Sequence, residues 1–303
     1  EGTMIVAETE SQSQPVSGAA MTASEARVTV LGVPDVPGKS KQIFAAIANR
    51  KIAVDMVVQN IGKEGRADIS FTVPRSEIKA TLEAVDSVLD QVGAHRVTHD
   101  DEVSKVSVVG LNMASQTNVA AKMFRALSDA GVNIQMITTS EIKISTLVAK
   151  ADASTALRAV HQAFQLHSRP DDAKTWGQIK AERDGNADVD VLVSRLQDDA
   201  LEALTLTGIS VTENQARITI HGVPDHFGIA AEMFETIGDA GIFIDMIVQG
   251  NDGEGHVTSI SFTVDAAGIE QAVAVAQSIC EKYTAGDRSE EHTSELQSRQ
   301  YLV

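Results

Sequence analysis

Apolar and polar residues alternate along Arg27–Val33, which predicts a strand. The spacing then turns helical. Pro37 and Gly38 open a helix running to about Arg50, with Ile43, Phe44 and Ile47 as its inward stripe. Ile52–Gln59 reads as a second strand, Gly62–Gly65 as a turn and Ala67–Val73 as a third strand. Pro74 and Ser76 start a second helix whose Ile78, Leu82, Val85 and Leu89 face inward, and His95–Val97 closes the unit as a fourth strand. The order is βαββαβ, a ferredoxin-like α+β unit with an antiparallel sheet.

The same pattern returns twice. A divergent second unit has strands at 106–111, 134–138 and 142–148 and helices at 119–130 and 154–164. A third unit at 215–283 repeats the first closely. Arg27-Val-Thr-Val-Leu-Gly-Val-Pro-Asp35 returns as Arg217-Ile-Thr-Ile-His-Gly-Val-Pro-Asp225, and Ile69-Ser-Phe-Thr-Val73 returns unchanged as Ile260-Ser-Phe-Thr-Val264. Repetition of this length marks a duplicated module. The chain therefore divides into a leading segment (1–25), unit 1 (26–98), unit 2 (103–166), a linker (167–205), unit 3 (206–287) and a tail (288–303). Within the linker, Trp176 and Ile179 offer a local docking point, and Leu192, Leu196, Leu201 and Leu204 predict a short helix. The tail shows no apolar period and resembles the translation of a sequencing-adapter read, so it is expected to stand outside the fold.

Composition narrows the function. A formal net charge of −17 disfavours nucleic-acid and anionic-membrane partners, which recruit Lys and Arg. Strand three of unit 1 has one aromatic residue, Phe71, which also speaks against an RNA-binding sheet. A lone cysteine, Cys280, rules out internal disulfides and fits a reducing cytoplasm. No phosphate-binding Gly-rich loop is present, and although His95 and His99 share an i,i+4 spacing, no nearby Cys or Glu pattern supports a metal site.

Two polar features recur. The turn Asp35-Val36-Pro37-Gly38 places an acid where a helix N-cap is expected, ahead of a helix tip that favours a carboxylate or phosphate. The second strand carries Asp55 and Gln59, which a period of two would put on one face. An acid in an apolar strand needs a partner, and a ligand ammonium would serve; an edge strand with one wet face would also account for it. Unit 3 repeats both features at Asp225–Gly228 and Asp245/Gln249, whereas unit 2 has Gln135 and Thr139 at the strand positions.

The stretches Val28–Gly38 and Val54–Asn60, with Ala120–Leu127 and Asn133–Ser145, resemble the tandem ACT regulatory units of bacterial aspartate kinase. Gly2–Ile5 resembles the end of that family's catalytic part, and the arrangement resembles four-unit members with the fourth unit missing. The resemblance implies an ATP- and Mg-dependent kinase acting on the side-chain carboxylate of aspartate, with the catalytic domain absent here and no catalytic residue, cofactor or metal site in these residues. It implies homo-oligomers assembled through ACT units, and feedback inhibition by lysine or threonine; a purely structural assembly subunit is the alternative. By position, the effector sites fall on Asp35, Val36, Pro37, Gly38, Val54, Asp55 and Gln59; on Asn133, Ile134, Gln135, Thr139, Ser140 and Glu141; and on Asp225, Gly228, Ile244, Asp245 and Gln249. Unit 2 departs from the family by placing Asn118 where a glycine is usual, which puts bulk at that helix tip.

Overall fold

The computed structural model describes residues 14–61, 65–111, 113, 116, 118–168, 170, 172–175, 177–178, 211, 213–251, 257–286 and 296–299. The linker features at Trp176, Ile179 and Leu192–Leu204 lie outside them.

Unit 1 is built from β1 (Gly18–Pro34), α1 (Lys39–Ala48), β2 (Asp55–Ile61), β3 (Arg66–Pro74), α2 (Ile78–Asp86), a short α3 (Leu89–Val92) and the start of β4 (Arg96–Val109). Unit 2 continues with α4 (Val119–Asp129), β5 (Ile134–Ser140), β6 (Lys143–Ala149) and α5 (Ala153–Ala163). Unit 3 has β7 (Gln215–Pro224), α6 (Ile229–Asp239), β8 (Ile247–Asn251), β9 (Val257–Asp265) and α7 (Ile269–Gly286). The single helix expected after Pro74 is divided: a 3-10 turn precedes α2, and the helix gives way at Ser87, whose hydroxyl donates back to the Ala84 carbonyl.

The described strands join one ten-stranded sheet in the order β10-β7-β9-β8-β5-β6-β4-β1-β3-β2, where β10 is Leu296–Arg299. β1 and β4 run antiparallel from Gly18↔Val109 to Leu31↔Arg96 and so serve two units. Residues 96–100 complete the sheet of unit 1, while 18–22, placed by the sequence in the leading segment, complete that of unit 2. β10 takes the matching place in unit 3, from Leu296↔Ile220 to Arg299↔Arg217. The sequence pattern puts the tail outside the fold; this part of it instead covers the open hydrogen-bonding edge of β7.

The cores follow the helices. α1 and α2 seal an apolar core under unit 1, including Val28, Val30, Ile43, Ile47 and Phe71. Units 2 and 3 share one continuous core, with Phe124 and Phe234 in ring contact at 5.5 Å. A third cluster, Met56, Val58, Val103, Met136 and Leu147, with Val248 against it, fastens β2 of unit 1 to the other two units. Asn60 Nδ2 donates to the Gly250 carbonyl at 2.8 Å, and a Cβ at Gly250 would stand 2.7 Å from that nitrogen, so a side chain there would displace the Asn60 amide.

β2 corrects the period-of-two expectation. It begins at Asp55, not Ile52, and its register slips between Asp55 and Val58, where Met56 adopts φ 44. This bulge opposes two residues to one and reverses the facing of the rest of the strand. Val54 packs into the helix-covered core, Met56 and Val58 enter the third cluster, and Gln59 turns to the helix side. Asp55 instead faces Lys105, which also holds the buried Glu25 at 2.9 Å, while Lys143 lies 3.9 Å away. Burial alone would raise the Asp55 pKa, but hydrogen bonds from Lys105 and the Met56 amide, with the nearby positive charges, lower it below the usual carboxylate value.

A depressed carboxylate pKa contributes stability that is present above the unfolded value, near pH ~4, and is lost as pH falls through the folded one. Wild-type protein should therefore lose stability faster than Asp55→Asn as pH falls below about 4 in pH-dependent urea melts. Lys105→Met, which strands buried Glu25, should cost about 3 kcal/mol at neutral pH in the same measurement.

Candidate functional site

Units 2 and 3 meet edge to edge. β5 and β8 pair antiparallel at Ile137↔Gln249 and Thr138↔Val248. The Thr139 hydroxyl accepts from the Ile247 amide at 2.7 Å, extending the junction by one residue. Above the sheet α4 and α6 lie side by side, with Phe124 against Phe234 and Arg125 gripping Glu235 through Nε (2.7 Å) and Nη2. Aligning Asn118–Asp129 with Gly228–Asp239 makes Phe124 equivalent to Phe234 and Arg125 to Glu235, so the pairing has an internal two-fold character.

Two equivalent clefts flank this axis. The first joins the α4 tip (Asn118–Ala121), the end of β5 (Thr139, Ser140) and Glu141 in the turn that follows to Phe243, Ile244 and Asp245 of unit 3. Its cavity volume is about 60 Å³, and it opens to solvent. The second joins the α6 tip (Asp225–Ala231) and Gln249 to Val132, Asn133 and Ile134 of unit 2, with about 20 Å³ enclosed. There Asn133 Nδ2 donates to Asp225 at 3.0 Å and Gln249 Nε2 to the Ile134 carbonyl at 3.4 Å. The Gln249 amide oxygen, on a residue 5% exposed, has no hydrogen-bond partner, and neither has that of Gln135.

No side chain caps either helix. Asp35 and Asp225 are not N-caps; the cap positions are Gly38 (φ 93) and Gly228 (φ 92), in a left-handed conformation that L side chains rarely adopt. Asn118 takes the same place at φ 71. Its amide lies against α6, where a Cβ at Gly238 would stand 1.6 Å from Asn118 Oδ1. Its bulk is thus accommodated by Gly238 across the interface. The first-turn N–H groups of both helices remain a positive end for an anion.

The three units differ in what surrounds these features. In the first cleft, an uncapped helix tip of unit 2 and the exposed carboxylates of Asp245 and Glu141 line one space. Ile244 and Asp245 precede β8 rather than lying within it; Asp245 is held by its amide to the Thr263 carbonyl at 3.1 Å. In unit 1, Asp35 accepts from Gln59 Nε2 at 3.2 Å, and Val36, Pro37 and Gly38 are exposed with open space before Gly38. Asp55, expected to share a face with Gln59, is turned away by the bulge at Met56 and is occupied by Lys105. Gln116, Phe243 and Gly238 also line the first cleft, although no local pattern in the sequence singles them out. Aligning unit 3 with unit 2 points to Gly238, because it stands where unit 2 has Ser128.

The sequence profile of the ACT domain matches residues 28–89, 106–164 and 218–278, more than half of the chain. The chain belongs to the ACT-domain family. It is 42% identical over 167 residues to an aspartate kinase of Pseudomonas fluorescens, covering 54% of this chain and 40% of the relative. It is 44% identical over 153 residues to an aspartokinase of Corynebacterium glutamicum, covering 50% and 36%. The crystal structure of aspartate kinase from Synechocystis superposes with a TM-score of 0.75 at 26% identity, covering 94% of this chain and 45% of that one. The chain thus spans less than half the length of these relatives and corresponds to their regulatory part, which supports an allosteric regulatory role. Among the described residues no helix is long and apolar enough to cross a membrane, and no cluster of three metal-ligating side chains occurs.

The Thr139–Ile247 bond joins, across the junction, two residues that line the first cleft. Thr139→Val should leave the Ile247 amide unpaired, cost about 1–2 kcal/mol in a thermal or urea melt, and speed exchange of that amide by NMR hydrogen exchange.

Proposed function

We propose that this chain is the amino-acid-sensing region of an aspartate kinase, and that the first cleft receives lysine or threonine. The reading rests on one juxtaposition: an uncapped helix tip and a pair of carboxylates, supplied by different ACT units, line the same space. An amino acid has matching ends. Its carboxylate would meet the N–H groups of the α4 tip, and its ammonium would meet Asp245. Glu141 offers a second acceptor, which favours lysine, with its additional ammonium, over threonine. The second cleft presents fewer free groups, because Asp225 and Asn133 are bonded to each other across it. The Gln249 oxygen there awaits a donor.

A ligand bridging two units stabilises the arrangement in which they stand at this distance. It inhibits to the extent that it binds the inactive arrangement better than the active one, and a coupling of about 1–3 kcal/mol gives a useful response. ATP and Mg²⁺ would be used by the phosphotransferase part of such a protein rather than by the residues here. Assembly of the whole enzyme through its ACT units and residence in the cytoplasm accompany this reading.

Calorimetric titration of the chain with lysine and with threonine tests it. Lysine should release or absorb heat at millimolar concentration or below. Asp245→Asn should weaken binding at least about tenfold, the loss of one charge-assisted hydrogen bond. Asp55→Asn should leave affinity unchanged while altering acid stability. Heat from neither amino acid would refute the sensing role, and an unchanged affinity in Asp245→Asn would move the site elsewhere.

A further inference from the structure

The three units carry nearly the same strand and helix at the face where units 2 and 3 meet, yet only one pairing is realised. Units 1 and 3 even share Ile-Ser-Phe-Thr-Val in their third strands. Two copies of unit 2, two copies of unit 3, or unit 1 with either of the others would present similar edges. The contacts around the two-fold axis distinguish these possibilities.

We propose that Arg125, Glu235 and the two contacts between cap and helix form a pairing code, which commits unit 2 to unit 3 and rejects every like-with-like combination. Arg125 and Glu235 occupy equivalent places and face one another, joined by two hydrogen bonds. A face made from two copies of unit 2 would oppose arginine to arginine, and one from two copies of unit 3 glutamate to glutamate. Like charges at a contact penalise the wrong partner, as the opposite pair favours the right one.

The second element is steric. At one end of the axis Asn118 meets Gly238; at the other, Gly228 meets Ser128, with a Cβ at Gly228 only 3.0 Å from Ser128 Oγ. Each contact thus joins one side chain to one glycine. Unit 2 carries both side chains and unit 3 both glycines. Two copies of unit 2 would crowd Asn118 against Ser128 twice, and two copies of unit 3 would leave Gly228 facing Gly238 across a void. Unit 1 has Gly38, Ala45 and Ala48 at these three places. Against unit 2 its Ala48 would occupy the space of the Asn118 amide, and its Ala45 would leave Arg125 without an acceptor. Against unit 3 it would leave Glu235 unpaired and Gly38 opposite Gly238. Only units 2 and 3 satisfy all three contacts. This inference is independent of the ligand that the clefts receive.

Hydrogen exchange of the whole chain, with light scattering for size, tests the code. Arg125→Glu and Glu235→Arg should each accelerate exchange across β5 and β8 at least about tenfold, as an opposing pair becomes a like-charged one. The double exchange Arg125→Glu/Glu235→Arg should return exchange to within about twofold of wild type, because it restores an opposite pair in reversed orientation. Gly238→Ala should loosen the same strands, and Asn118→Gly/Gly238→Ala should tighten them again. Single variants that match wild type would overturn the proposal. Double variants as loose as, or as poorly folded as, their single parents would overturn it too, since a merely destabilising substitution is not rescued by its opposite number.

Discussion

The edge contact between β5 and β8 is short, with two residue pairs in register and one threonine hydroxyl extending it. Such a contact is too small to hold two units by backbone hydrogen bonds alone. The helix layer supplies what is missing: α4 and α6 lie in contact, Phe124 and Phe234 enter a common core, and Arg125 clasps Glu235. The continuous core beneath units 2 and 3 is the constraint on which the rest depends. It sets the distance between each helix tip and the loop of the opposite unit, and thereby the width of both clefts.

The same local sequence has different fates in units 1 and 3. Val54-Asp55-Met56 and Ile244-Asp245-Met246 are near copies. Asp245 stands at the mouth of a cleft between units, whereas Asp55 lies against two lysines from unit 2. The neighbouring unit, not the motif, decides whether the acid serves an ion pair within the fold or remains free for a ligand. An acid that already has a cation has lower affinity for another, so the environment of Asp55 disfavours a second ammonium there even though its local sequence is retained.

Much of the architecture was legible in the chain. Apolar periods and the repeated turn located α1, α4, β3 and β6 to within a few residues, because each buries one regular stripe. The structure brings two of the helix tips and the Ile244–Asp245 segment to clefts between units. Their combination was not legible, since it depends on which unit stands opposite which. The period-of-two reading of Asp55 and Gln59 failed at a single residue, Met56, whose left-handed backbone nothing in an apolar strand announces. Asp35 looked like a cap because an acid before Pro and Gly commonly is one, yet the left-handed cap position selects Gly38 instead. The role of residues 18–22 in unit 2 was hidden for a different reason: strand pairing between distant segments leaves no trace in local spacing.

The shared strands β1 and β4 have a consequence for how the protein comes into being. Residues 18–22 find their strand partners in 105–109, while residues 27–30 lie between 69–72 of β3 and 97–100 of β4. As a ribosome extends the chain, the first unit can close its own sheet once residues 97–100 have emerged, while residues 18–22 wait unpaired for 105–109 of the second unit. Completion of the second module is thus tied to the first: a break between 100 and 105 would leave the first sheet whole and free the edge at 105–109 that residues 18–22 cover.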